Sequence, residues 1–360
     1  MKIPGKYYLQ SSEQWQFRTV AMKPVRAAAV QMQARLADIP YNIAQVGELA
    51  ETALRRGARV VALPEFFTTQ IVYDERLFSC ALPQENPALS MLQLLARKYE
   101  AILGGSYLEF RDGDAFNTYV LLDTDGEVSR HDKDQPTMVE NAFYIGGNDP
   151  GIAASSLGVC GMAVCWEMLR TRTVRRLAGN VDFLMTGSHW WSEPGWPYGR
   201  TLWNWLHRYN AALMARTPGA FARLIGAPNL HAAHCGVVTG ELRLTRGRGV
   251  GTSSRMMGET QITDASGTIL GRREAHEGPG IVEAEVLPRR QVGASAPDRF
   301  WVDDLPAAFR LIWWHQNRVG REIYRAAKAE GKLRPFRIVP EVSSGGTRRA
   351  RNTRGNIGDP

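Results

Sequence analysis

Nowhere does this 360-residue chain run apolar for long enough to cross a bilayer as a helix, so no membrane partner is expected. Its first twenty residues, MKIPGKYYLQSSEQWQFRTV, lack the apolar centre of a secretory signal. Cysteine is scarce. Cys80, Cys160, Cys165 and Cys235 are irregularly spaced and form no CxxC pair, which argues against both a disulfide framework and a zinc site. These gaps predict a cytoplasmic protein whose thiols stay reduced and open to reaction. Acidic charge is also in deficit, at a formal net charge of +8. Part of that excess sits in Arg348, Arg349, Arg351 and Arg354, within a polar tail that reads as disordered. No aromatics are interleaved there and no nucleic-acid motif is present, so solvated charge is favoured over a nucleic-acid partner.

What is present is ordinary globular composition, with 44% hydrophobic and 22% charged residues. The regular pattern begins at Val25 with VRAAAVQMQ, a buried strand, after an extension over residues 1–24. DIPYNIAQVGELAETALRRGA follows as a helix, with Pro40 in the first turn and Gly57 placed to end it. Strand RVVALPE, helix ENPALSMLQLLARKYEA and strand AILGGSYLE continue the alternation, and YVLLDTDGEVSRH folds back at Asp125-Gly126. GVCGMAVCWE and VDFLMTGSHWW are apolar strands around the helical TRTVRRLAGN, followed by helix GRTLWNWLHRYNAALMAR. ETQITDASGTIL and PGIVEAEVL close the strand series before a final helix, DLPAAFRLIWWHQNRVGREIYRAAKAE, with Phe309, Ile312, Trp313 and Val319 along one side. Alternating strands and helices with interspersed hairpins argue for an α/β fold.

Three residues stand out chemically. Cys165 ends the apolar run GMAVC before a polar and then helical segment; a thiol at such a strand-to-helix turn is expected at the sheet edge, with lowered pKa and backbone N–H groups facing developing negative charge. Its bland alternative is a small buried hydrophobe. Glu65 ends VVALPE in the same way, where desolvation would raise its pKa towards that of a general base; otherwise it is a capping or surface carboxylate. Lys133 is the only lysine between Lys98 and Lys328 in an arginine-rich chain, which suits a compact charge placed against one oxygen. Solvation between Asp132 and Asp134 is the alternative.

Taken in order, ALPEFF around Glu65, Lys133 followed by PTMVENAFYIGG, and GMAVCWE around Cys165 resemble the carbon–nitrogen hydrolase, or nitrilase, superfamily over about Val25 to Leu287. The resemblance implies a four-layer α-β-β-α sandwich over residues 25–290, a helical extension over 291–335 and a basic flexible tail over 336–360. It implies Cys165 as nucleophile, Glu65 as base, Lys133 and the Trp166 backbone N–H as the oxyanion donors, and Glu140 as a second carboxylate. No cofactor is required, since nucleophile and donors come from the protein. The expected substrate is a small nitrile or amide, hydrolysed through a thioester to acid and ammonia, with an N-carbamoyl-amide hydrolase or an amidase inert to nitriles as the alternative. A non-catalytic interaction protein on the same fold is the reading from another class.

Tyr144, His189, Trp190 and Trp191 are the substrate-pocket candidates, although the tryptophans could equally line a dimer interface. Trp313 and Trp314 favour subunit contact, so a homodimer or larger homo-oligomer is expected.

Overall fold

The computed structural model describes residues 23–193 and 199–337. Nearly all of the expected N-terminal extension and of the basic tail lies outside the described residues. In chain order the elements are β1 (Val25–Met32), α1 (Ile39–Arg55), β2 (Val60–Ala62), α2 (Pro87–Tyr99), β3 (Ile102–Arg111), β4 (Asp114–Leu122), β5 (Val128–Asp132), β6 (Ile152–Ser155), β7 (Gly158–Val164), α3 (Thr171–Leu177), β8 (Phe183–Ser188) and α4 (Arg200–Ile225). They continue with β9 (Asn229–His234), β10 (Val237–Thr245), β11 (Arg248–Arg255), β12 (Gly258–Thr263), β13 (Ile269–Glu274), β14 (Gly280–Val286) and α5 (Ala307–Ala329).

Strand alternation builds the layers. In β1, Ala28, Val30 and Met32 face α1 and α2, whereas Ala27 and Ala29 face inward. β2 repeats this with Val61 outward and Val60 and Ala62 inward. On the other half, Met162 and Val164 of β7 and Phe183 and Met185 of β8 point inward, while Ala163 and Leu184 pack outward beneath α3 and α4. β3 lies against β8 and β4 against β7, so two sheet halves stack between two helical layers, as the resemblance implied.

The halves join edge to edge in a nearly closed twelve-stranded mixed sheet, ordered β5-β4-β3-β2-β1-β9-β8-β7-β6, with β14 on β1 and β12 on β9. β2, β1, β9, β8 and β7 run parallel. Their carboxyl ends therefore converge, which brings the segments after β2, β7 and β8 together.

Several elements differ from the sequence reading. β9 and the β10–β11 hairpin were not foreseen. α4 also runs on through Pro218 to Ile225, where Thr217 Oγ1 donates to the Leu213 carbonyl at 2.6 Å and Asn229 Nδ2 donates to the Pro218 carbonyl at 3.2 Å. A side-chain bond within the helix and one from β9 thus hold a helix that proline alone would interrupt. Among the described residues no helix is long and apolar enough to cross a membrane.

Candidate active site

Glu65 follows β2 by way of Pro64 and is completely buried. Its Oε1 accepts from Lys133 Nζ at 2.8 Å and from Asn117 Nδ2 at 2.9 Å, and its Oε2 accepts from the His189 backbone N–H at 2.7 Å. His234 Nε2 lies 2.6 Å from the Glu65 carbonyl oxygen. β8 supplies the space, because a Cβ on Gly187 would sit 2.6 Å from the Glu65 backbone nitrogen. Burial raises the Glu65 carboxyl to about 7, against the pull of Lys133, as expected from its place at the end of an apolar strand.

Lys133 leaves β5 just past its end, its N–H donating to the Asn117 carbonyl of β4 at 2.9 Å. Its ammonium is fully buried and also donates to Glu140 Oε2 at 2.7 Å. Burial opposes this charge, but Glu140 and Glu65 together hold the lysine protonated well above its usual range. The flanking acids do not compete for it: Asp132 pairs with Arg111 at 2.5 Å, and Asp134 pairs with Arg170. Glu140 Oε2 also accepts from the Thr137 N–H at 2.9 Å and from the Tyr144 hydroxyl.

Cys165 sits immediately after β7 with φ +53°, a left-handed backbone that a non-glycine residue adopts only under constraint. The constraint is visible in Glu167, whose Oε2 accepts the Val164 N–H at 2.8 Å and meets His131 Nε2 at 3.0 Å. Its Oε1 accepts the Asp134 N–H at 3.1 Å, which ties the cysteine turn to the lysine loop. A short 3-10 turn, Cys165–Leu169, follows instead of an immediate α-helix. The thiol is 2% exposed, and its pKa corrects the sequence expectation: burial and the nearby Glu65 push it well above the usual thiol range. The sulfur therefore rests as a thiol, and the nearby carboxylate is placed to remove its proton.

Cys165, Trp166, Glu140, His189, Trp190 and Trp191 line one cavity of about 400 Å³. Tyr144 is not on that wall; it stands behind Glu140 as its hydrogen-bond donor. His189 lies on the wall but is held neutral, chiefly by burial and then by His234. The remaining wall comes largely from α4 and α5, with Trp203, Phe309, Ile312 and Trp314. Trp314 is thus a wall residue as well as a half-exposed surface aromatic. α5 also braces the turn bearing Glu140: Asn317 Oδ1 accepts the Met138 N–H at 2.8 Å and Asn141 Nδ2 at 3.0 Å. Sequence reasoning missed Asn117, His234 and Asn317, polar residues with no motif of their own, and gave Glu167 no role although it closes the GMAVCWE motif.

The carbon–nitrogen hydrolase family matches residues 26–289. A deaminated glutathione amidase of Synechocystis is 28% identical over 286 residues, covering 75% of this chain and 94% of that protein. An N-carbamoylputrescine amidase of Arabidopsis thaliana is 26% identical over 141 residues, 36% of this chain and 47% of that one. Among solved structures, a mutant of the amidase from Nesterenkonia sp. AN1 carrying the acetamide moiety of fluoroacetamide on its active-site cysteine is 20% identical with a TM-score of 0.58, covering 73% of this chain and 91% of that chain. That likeness is one of fold.

Proposed function

The chain belongs to the carbon–nitrogen hydrolase family, and on that premise we propose that it hydrolyses small amides with Cys165 as nucleophile, Glu65 as base and Lys133 as oxyanion donor. The observation that carries this reading is the buried Lys133 ammonium bridging Glu65 and Glu140 beside a cavity that Cys165 lines.

Ionised Glu65 removes the Cys165 proton as sulfur attacks the amide carbon, and the carbonyl electrons move onto oxygen. Lys133 Nζ and the Trp166 N–H hold that oxyanion, since the first N–H groups of a 3-10 turn have no partner within the turn. Glu65, now protonated, gives its proton to the leaving nitrogen, the carbon–nitrogen bond breaks, and ammonia departs from a Cys165 thioester. Glu65 then takes a proton from water, hydroxide adds to the thioester, and collapse releases the carboxylic acid and the thiol. Glu140 and its donor Tyr144 fix the lysine, and Trp190 and Trp191 form the acyl wall.

Amides are preferred over nitriles because the relatives named above are amidases, and an N-carbamoyl amide is the second substrate class that those names support. Four buried free thiols accord with a cytoplasmic enzyme, and exposed Leu202, Trp205, Leu311 and Trp314 accord with self-association. Ammonia release from primary amides, N-carbamoyl amides and matching nitriles tests the reading. Amide or carbamoyl turnover that disappears in Cys165→Ala supports it; turnover retained in that variant, or confined to nitriles, contradicts it.

A further inference from the structure

The cavity wall above Cys165 contains one carboxylate that the mechanism does not use. Glu193 follows the tryptophan pair beyond β8, and its side chain is only 8% exposed. Among the described residues its Oε2 has no hydrogen-bond partner. The nearest group able to carry positive charge is His207 Nδ1, 3.8 Å away on a half-exposed ring, too far for a hydrogen bond. Asn210 is the adjacent polar side chain: its amide accepts from Trp190 Nε1 at 2.7 Å, donates to the Trp191 carbonyl at 3.2 Å and also bonds the Glu193 carboxyl as a neutral donor, but it leaves Oε2 unserved. The contrast with Glu140 is direct. Both carboxylates line the same cavity, yet Glu140 is paired with Lys133 whereas Glu193 has no lysine or arginine partner among the described residues.

We propose that Glu193 anchors a positively charged group, an ammonium or guanidinium, on the part of the substrate remote from the scissile bond. The proposal rests on the amidase reading and narrows its substrate class to cationic amides. A buried carboxylate oxygen without a partner is costly, and a charged donor arriving from solution offsets that cost where a methyl group does not. The rest of the wall suits the same guest. Trp190, Trp191, Trp203 and Trp314 surround the space with aromatic rings, which attract a cation by their negative faces while packing against its methylene chain. Burial raises Glu193 to about 7, so near neutral pH an entering cation meets a carboxyl group that ionises readily. Acyl groups ending in a carboxylate meet like charge and are disfavoured.

The test compares amides matched in length, 4-aminobutanamide with pentanamide and 5-aminopentanamide with hexanamide. Wild-type protein is expected to favour the cationic member of at least one pair by about tenfold or more in kcat/KM, the scale of a buried charge contact. Glu193→Gln is expected to lower that cationic-to-neutral ratio by about tenfold, chiefly through KM. Equal or better turnover of the neutral member in both pairs overturns the proposal, and so does a ratio that Glu193→Gln leaves unchanged. If neither amides nor N-carbamoyl amides are turned over, the amidase reading fails; whenever these four amides are not turned over, calorimetric binding of the same pairs to full-length Cys165→Ala judges the anchor separately. Tighter binding of the cationic amides then supports it, and equal binding refutes it.

Discussion

Lys133 Nζ donates to Glu65 Oε1 at 2.8 Å, and neither side chain is open to solvent. The lysine keeps its proton there, while burial holds the carboxyl at about 7. Glu65 must be ionised to accept a proton from a thiol that is itself held neutral. With a neutral amide as substrate, kcat/KM is therefore expected to fall about tenfold for each pH unit below 7. The falling limb should disappear together with acylation in Glu65→Gln, and a flat profile between pH 5 and 7 would exclude Glu65 as the base.

Removing the ammonium leaves two buried carboxylates facing each other. Lys133→Met is expected to lower kcat by roughly 10²–10³-fold or more, the loss of an oxyanion donor. It should also cost about 3–5 kcal/mol of stability through the unpaired charges. Steady-state kinetics and chemical denaturation check the two effects separately, and a fully active variant would remove Lys133 from the oxyanion site.

His131 bridges Asp149 at 2.6 Å and Glu167 at 3.0 Å beneath the cysteine turn. Although burial opposes its charge, Glu167 and then Asp149 raise it to about 9. A histidine raised in this way stabilises the fold fully below its unfolded value of about 6.5, and the contribution is lost as pH rises through about 9. His131→Asn should therefore lower the melting temperature more at pH 6 than at pH 9.5. A difference independent of pH would show that the ring stays neutral.

The proposed catalytic trio, which the structure brings together beside one cavity, was readable in the sequence because each member interrupts an expectation. Glu65 and Cys165 end apolar strands, and Lys133 stands alone among arginines. Their supports were not readable. Asn117 and His234 lie within strands whose polar side chains turn inward, and NLHAAH has too little apolar character to announce β9, although that strand sits next to β1 in the sheet. The thiol pKa was misjudged because a helix start was expected after Cys165, whereas a 3-10 turn stands there and desolvation dominates. Residues 291–335 read as an extension because α5 has its own amphipathic period; its contact with the Glu140 turn spans well over a hundred residues of sequence and leaves no local mark.

That contact yields its own expectation. A Cβ on Gly320 of α5 would lie 2.6 Å from Asn141 Cβ and 3.0 Å from the Ala142 nitrogen. Gly320→Ala should cost about 1–3 kcal/mol through overpacking. Because Glu140 sits on the displaced turn, kcat should fall further than the folded fraction accounts for. Activity that merely tracks the folded fraction, read by circular dichroism at the assay temperature, would mean that α5 does not set the position of Glu140.

The most direct test of the account is intact mass spectrometry of the protein mixed rapidly with a small primary amide or fluoroacetamide and quenched in acid, followed by peptide mapping. An acyl adduct from the primary amide, or an S-linked acetamide from fluoroacetamide with loss of fluoride, is expected on the peptide carrying Cys165, absent in Cys165→Ala and, with the primary amide, in Glu65→Gln. Turnover with the adduct on Cys80, Cys160 or Cys235, or with Cys165 unmodified throughout, would contradict it.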